Sequence, residues 1–201
     1  MRERIVLALV FTGLFACATG CKKQIDHAVF ISAINKSFVG RHECVWPEPV
    51  KLPAQVDPST DERIRAFEAL TDAGLLLRES KEKEKKHSLL DAKQVNTYNL
   101  SDKGHSSWTP EASKPGYGNF CFGHFNATAV ENATPNDSTN PTQYTVNYRY
   151  EVLGIPEWVR KPESMRAFPK LAADTSIQSA TATLVKETSG GWAVDSSHSA
   201  Q

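Results

Sequence analysis

The stretch Gln143-Tyr-Thr-Val-Asn-Tyr-Arg-Tyr-Glu-Val152 alternates strictly between polar and apolar side chains. The apolar set comprises Tyr144, Val146, Tyr148, Tyr150 and Val152. Successive side chains of a β-strand point to opposite faces, so this pattern predicts a strand with one buried face. The C-terminal half of the chain is therefore expected to be an antiparallel sheet built around this strand.

Other segments supply neighbours for that strand. We expect one partner strand over 119–130, followed by a polar loop over 131–141 that is rich in turn-forming residues. Two more strands are predicted at 179–186 and 192–194 around the turn Ser189-Gly-Gly191. A short helix over 162–168 is expected to cross between the strand pairs.

The N-terminal half begins with a predicted helix over 25–39, which Gly40 stops. The next segment, Cys44 to Pro58, contains four prolines and is hereafter the strap. Each proline lacks an N–H donor and restricts the residue before it, so a helix is excluded. We expect an extended strap that buries Trp46, Val50 and Leu52.

A second helix follows the strap. Ser59-Thr-Asp-Glu62 fits a capping box, and Gly74 provides the helix end because glycine readily takes the left-handed conformation. The charged run over 78–87 is interpreted as a solvated strand end or loop. The chain then returns through 96–100 to a predicted turn, Ser101-Asp-Lys-Gly104.

Two segments of this region, Ala69-Leu-Thr-Asp-Ala-Gly-Leu-Leu-Leu-Arg78 and Thr97-Tyr-Asn-Leu-Ser-Asp-Lys-Gly104, resemble the helix and wing of winged-helix proteins. The resemblance implies a helix followed by a β-hairpin. The chain has 23 basic and 23 acidic residues and thus no basic excess, so we expect no nucleic-acid partner. The predicted class is α+β, with two or three N-terminal helices and a hairpin packed on a C-terminal antiparallel sheet of about four strands.

The N-terminus has the layout of a secretory signal peptide. Arg2 and Arg4 precede an apolar run over 5–16, and small residues then lead to a cysteine. This pattern resembles the signal of bacterial lipoproteins, in which that cysteine is lipidated, for example with palmitate. The run is shorter than the roughly 20 residues that a membrane-spanning helix needs. We expect export and attachment to a membrane by the lipid. The alternative is an ordinary signal peptide cut near Ala18, which would leave a soluble periplasmic protein.

Cys21 and Cys17 both fit as the lipidated residue. Ala18-Thr-Gly20 before Cys21 and the polar residues after it favour Cys21, whereas Leu14 favours Cys17 as the alternative. The signal then covers 1–20 and the lipidated tether 21–24. A single α+β domain follows over 25–201, with a helical and wing-like part over 25–115 and a sheet part over 116–201.

The location follows from the lipid signal. A lipidated chain of this kind belongs to the bacterial cell envelope and faces the periplasm. Lys22 and Lys23 stand where an aspartate would retain the protein at the inner membrane, which favours the outer membrane.

Two further cysteines, Cys44 and Cys121, remain in the exported part. In an oxidising compartment a disulfide is their simplest state, and two separate thiols are an alternative. A third hypothesis is a metal site, because His42-Glu-Cys44 and Cys121-Phe-Gly-His124 offer four ligands. That site, formed by His42, Cys44, Cys121 and His124, would indicate a periplasmic metal-dependent enzyme.

The sequence contains no recognised catalytic motif. Tyr117-Gly-Asn-Phe-Cys-Phe-Gly123 and Gly154-Ile-Pro-Glu-Trp-Val159, with Gly190-Gly-Trp192, resemble a set of bacterial lipoproteins, and this resemblance implies no catalytic residues. Several aromatic residues could line a pocket, although core packing is the favoured interpretation: Tyr117, Phe120, Phe122, Phe125, Tyr148 and Tyr150. We therefore expect a non-enzymatic binding module without a cofactor, whose partners are the membrane and an envelope protein.

Overall fold

The computed structural model describes residues 26–83 and 93–195. Cys17 and Cys21, on which the predicted lipid anchor depends, lie outside the described residues. The described part contains five α-helices and a 3₁₀ turn at Glu157–Arg160. The helices are α1 (His27–Ser37), α2 (Ile64–Asp72), α3 (Asp102–Ser107), α4 (Pro162–Ala167) and α5 (Leu171–Asp174).

Eleven strands accompany these helices in the described residues. The strands are β1 (Glu43–Cys44), β2 (Val50–Lys51), β3 (Ala54–Val56), β4 (Leu76–Lys83), β5 (Lys93–Leu100), β6 (Trp108–Pro110), β7 (Tyr117–Phe122), β8 (His124–Pro135), β9 (Gln143–Leu153), β10 (Gln178–Lys186) and β11 (Trp192–Val194). They form three antiparallel sheets. Strands β11, β10, β9 and β8 lie side by side, β5 lies between β3 and β4, and β7 pairs with β1, β2 and β6. The predicted α+β class and the C-terminal four-stranded sheet are confirmed.

The four-stranded sheet packs against α1. The apolar residues of β9 alternate into the buried face as predicted, and Phe30 and Ile34 of α1 are fully buried against them. Asp26 begins α1 by accepting a hydrogen bond from the Ala28 N–H. We call this cluster the sheet core; its buried members are Phe30, Ala33, Ile34, Phe38, Ala127, Tyr144, Val146, Tyr148 and Leu184.

A second cluster, the strap core, collects the strap, α2, the β4–β5 hairpin, β7 and the helices after β9. Its largest fully buried side chains are Phe67, Leu70, Leu75, Leu76, Tyr98, Phe120 and Leu171. Trp46 and Leu52 are buried there and Val50 packs at the edge, so the predicted burial of the strap is confirmed. Its extended residues form β1, β2 and β3, which add short edge pairings to two sheets.

The single partner strand predicted over 119–130 is wrong. Gly123 (φ 61°) separates β7 from β8, and these two strands belong to different sheets. A Cβ atom at position 123 would lie 2.4 Å from Val152 Cγ1 and 2.7 Å from the Leu153 carbonyl oxygen. Only glycine allows this close approach with a positive φ. Strand β8 also continues to Pro135, through the first half of the predicted loop.

A predicted helix cap and a predicted turn are also wrong. The capping box at 59–62 does not form, because Ser59 donates to Asp57 and α2 begins five residues later, after Arg63. The predicted turn at Ser101 is instead the start of α3, where the Ser101 hydroxyl accepts a hydrogen bond from the Gly104 N–H. Gly74 (φ 75°) ends α2 as expected.

The charged run is a strand as far as Lys83, within a hairpin of β4 and β5. The rest of that run lies outside the described residues. Within the described part, no helix combines the length and apolar content needed to cross a membrane.

Candidate functional site

Cys44 and Cys121 form a disulfide that joins the strap to β7. The two residues stand directly opposite each other in the β1–β7 pairing. Their Cα atoms are 4.0 Å apart, shorter than the roughly 4.4–6.8 Å that is usual for a disulfide. Opposed residues in an antiparallel pair approach closely, at about 4.5 Å when they are not hydrogen-bonded to each other.

Asn119 fixes the strap beside this disulfide. Its Oδ1 accepts from the Trp46 N–H (3.2 Å) and its Nδ2 donates to the Trp46 carbonyl oxygen (2.7 Å). The Asn119 side chain is buried. It provides the Trp46 backbone with the two hydrogen bonds that a neighbouring strand would otherwise provide, at the point between β1 and β2 where the strap leaves β7. Trp46 is thereby held against Phe120 and Phe168.

The four residues of the hypothetical metal site do not form a ligand set in the structure. The sulfur atoms of Cys44 and Cys121 are bonded to each other. His42 contacts the Gly123 carbonyl oxygen through Nδ1, and His124 is exposed at the start of β8. Among the described residues, no group of three or more His, Cys, Asp or Glu side chains is arranged to hold a metal ion.

An open cleft of about 660 Å³ lies between the strap, α2 and the α4–α5 connection. We call it the strap cleft. Its apolar lining consists of Val45, Trp46, Pro47, Ala66, Ala167, Phe168 and Pro169. Charged side chains surround it: Glu43, Glu62, Arg63 and Lys170. The cleft is therefore suited to bind an apolar group by contact and to select charges at its rim.

Lys170 links β1 at the rim of the cleft to α5. Its Nζ lies 3.0 Å from Glu43 Oε2 and 2.9 Å from Asp174 Oδ1. Burial alone would lower the pKa of Lys170, but the hydrogen bonds to Asp174 and Glu43 outweigh it, so the pKa lies above its ordinary value. The Asp174 side chain is only 4% exposed, and the ammonium thus neutralises a carboxylate that burial would otherwise destabilise.

The opposite rim carries a second ion pair, between Arg63 Nη2 and Asp61 Oδ2 at 2.7 Å. The hydrogen bond from the Arg63 side chain is the main cause of the lowered pKa of Asp61. Arg63 also lies over the Phe67 ring. Arg63 is therefore positioned at the rim by both Asp61 and the Phe67 ring.

Sequence reasoning identified the disulfide and the buried Trp46 but missed Asn119, Lys170 and Asp174. The spacing of Lys170 and Asp174 (i, i+4) fits an ion pair on a helix. Their shared partner, Glu43, is 127 residues away from Lys170 and has no local signal.

Comparison of the chain with protein-family models, with curated proteins and with solved structures gave no match.

Proposed function

We propose that this chain is a lipid-anchored protein of the bacterial cell envelope that works by binding another envelope protein rather than by catalysis. The anchor is the lipidated Cys21, and the folded part faces the periplasm from the outer membrane. The strap cleft is the binding surface.

The Cys44–Cys121 disulfide is the observation that carries the location. Disulfides form and persist in the periplasm and other oxidising compartments and are rare in the cytosol. This agrees with the export that residues 1–21 predict. One indication is a covalent bond in the folded part, and the other is a sequence pattern at the N-terminus.

The strap cleft supports a binding role. Its apolar lining includes Trp46 and Phe168, and aromatic side chains are enriched where proteins bind each other. None of the described lining residues is a serine, a threonine or a free thiol. The cleft thus offers a partner protein an apolar contact surface with ion pairs at its rim.

The anchor is tested by Cys21→Ser. We expect the variant to lose incorporation of labelled palmitate and to leave the outer-membrane fraction, because the acyl chains supply the membrane affinity. Cys17→Ser is the matched control and should behave like the natural protein. Loss of label in Cys17→Ser alone would move the anchor to Cys17, and unchanged labelling of both variants would refute the anchor.

The binding surface is tested by photo-crosslinking in intact cells. A photoreactive amino acid at position Glu62, on the cleft rim, should yield one discrete protein adduct, whereas position Asn147, on the outer face of β9, should yield none. Ala167→Trp, which fills the cleft, should abolish the adduct while the protein stays folded. Equal crosslinking from both positions, or an adduct that survives Ala167→Trp, would exclude the cleft.

A further inference from the structure

A second cavity, distinct from the strap cleft, lies on the inner face of the four-stranded sheet. It measures about 440 Å³ and opens where α1 ends. Its aromatic walls are Phe38, Phe125, Tyr148 and Tyr150, and we call it the aromatic pocket. Its volume is in the range of natural small-molecule sites, about 300–1,000 Å³.

Local geometry explains the opening. Helix α1 has 11 residues and spans about 16 Å, whereas the 11-residue strand β9 spans about 36 Å. The helix therefore covers only part of the sheet. Opposite Tyr148 and Val146 of β9 stand Ala180 and Ala182 of β10, and these small side chains leave room above the uncovered part.

The aromatic walls already hold one cation. The guanidinium carbon of Arg41 lies 5.6 Å from the ring centroid of Phe38 and 5.6 Å from that of Phe125. This is the distance range of a cation–π interaction. Arg41 is exposed, and within residues 26–83 and 93–195 the recorded contacts of its guanidinium are these two rings.

Carboxylates lie on one side of the pocket. Glu43 and Asp195 line it together with Arg41, and the nearly buried Asp174 stands close enough for its charge to act on Tyr150. Burial raises the pKa of Tyr150, and the charges of Glu43 and Asp174 raise it further. The one ammonium of Lys170 is shared by Glu43 and Asp174, and Asp174 Oδ2 is buried without a hydrogen-bond partner in the described structure.

Tyr148 also offers a polar atom to the pocket. The residue is 7% exposed and lines the pocket, and its hydroxyl is not among the buried polar atoms that lack a partner, so the oxygen is open to the pocket. A donor group of a bound molecule would find an acceptor there.

We propose that the aromatic pocket binds a small organic ammonium ion, with its apolar part against the rings and its charge toward Glu43 and the Tyr148 hydroxyl. The ligand displaces the guanidinium of Arg41 from Phe38 and Phe125. This binding site does not depend on the lipid anchor; it shares Glu43 with the rim of the strap cleft, whereas its aromatic walls belong to the aromatic pocket alone.

The test uses three probes of one shape and different charge: benzylammonium, benzyl alcohol and benzoate. Their binding to the purified full chain in detergent is measured by titration calorimetry at neutral pH. We expect benzylammonium to bind at least about tenfold more tightly than the other two, which corresponds to one favourable desolvated cation–π contact or ion pair. Equal binding of the three probes, or no binding of benzylammonium, overturns the proposal.

Three variants then locate the site. Glu43→Gln and Tyr148→Phe should each weaken benzylammonium binding several-fold, whereas Arg41→Gln should strengthen it because a competing cation is removed. Glu131→Gln, on an exposed part of β8, is the control and should change nothing. If benzoate is instead the preferred probe and Arg41→Gln abolishes its binding, the pocket is an anion site and the proposal is wrong.

Discussion

Two asparagines act in this protein as substitutes for a missing strand residue. Asn119 pairs with both backbone groups of Trp46, and Asn35 does the same for Ala127, with its Oδ1 accepting from N (2.7 Å) and its Nδ2 donating to O (3.3 Å). Ala127 is in β8, which is an edge strand of its sheet. Asn35 therefore ties α1 to the edge at the point where a bulge interrupts the pairing with β9.

Asn119→Ala should destabilise the protein by about 2–4 kcal/mol, because it leaves the N–H and C=O of a buried tryptophan without partners. Urea unfolding followed by tryptophan fluorescence measures the change. Asn132→Ala, in an exposed part of β8, is the matched control and should change the free energy of unfolding by less than about 0.5 kcal/mol. Similar values for the two variants would show that water replaces the Asn119 side chain at Trp46.

At the scale of elements, the strap is the segment most dependent on the disulfide. Its own ladder contacts are three short pairings of two or three residues each. The bridge closes a loop with 76 intervening residues. Such a loop is expected to contribute about 4 kcal/mol by restricting the unfolded chain.

The double variant Cys44→Ala/Cys121→Ala should therefore lower the free energy of unfolding by about 2–5 kcal/mol. We expect amide hydrogen exchange to accelerate over 44–56, while the amides of β9 stay protected. Asn119 and the Trp46 contacts remain in the variant, so the rest of the fold persists. Uniform loss of protection across both cores would contradict the separate role of the strap.

Elements with a strong local pattern were predictable from the sequence. The alternation of β9, the helix before Gly40 and the end of α2 at Gly74 each depend on residues that are close together in the sequence. The break between β7 and β8 was not, because Gly123 is required by its contact with Val152 and Leu153, far along the chain. Locally, Phe122-Gly-His124 is compatible with one continuous strand.

In the candidate sites too, the sequence predicted local features but not those that depend on contacts between distant segments. The disulfide followed from cysteine count and compartment, and the aromatic residues were foreseen as core or pocket. Phe120 and Phe122 lie in the strap core, whereas Phe125, Tyr148 and Tyr150 line the aromatic pocket. The deciding factors are the length of α1 and the alanines of β10 opposite Tyr148 and Val146, and the positions of these alanines depend on the pairing between distant segments.

At the scale of the whole molecule, the two cores meet at Phe125, which packs against both. The Glu43–Lys170 ion pair joins β1 of the strap to the segment before α5. Tyr150 lies near this pair, and its hydroxyl donates to Gln178 Oε1 of β10. Polar and aromatic contacts thus connect the strap cleft to the aromatic pocket.

The stability of the molecule should fall as the pH rises above about 10. Burial is the main cause of a raised pKa at Tyr98, Tyr148 and Tyr150. Between the unfolded and folded pKa values, the folded state holds more protons than the unfolded chain, so alkali favours unfolding. Urea unfolding at a series of alkaline pH values measures the loss.

The double variant Tyr148→Phe/Tyr150→Phe is the control for this prediction. It removes two of the three groups and should show a shallower decline of unfolding free energy in the same pH range. A decline as steep as that of the natural protein would assign the alkaline instability to other groups.

The position of the disulfide also has a mechanical consequence. A protein held at its N-terminus experiences any pull on its body as a force that enters through α1. Under a pull applied to the chain after Cys121, residues 26–43 can be drawn out by about 60 Å before the bridge is reached. There the force passes through the sulfur bridge to Cys121, so the loop that the bridge closes, with α2 and most of the strap core, carries no tension.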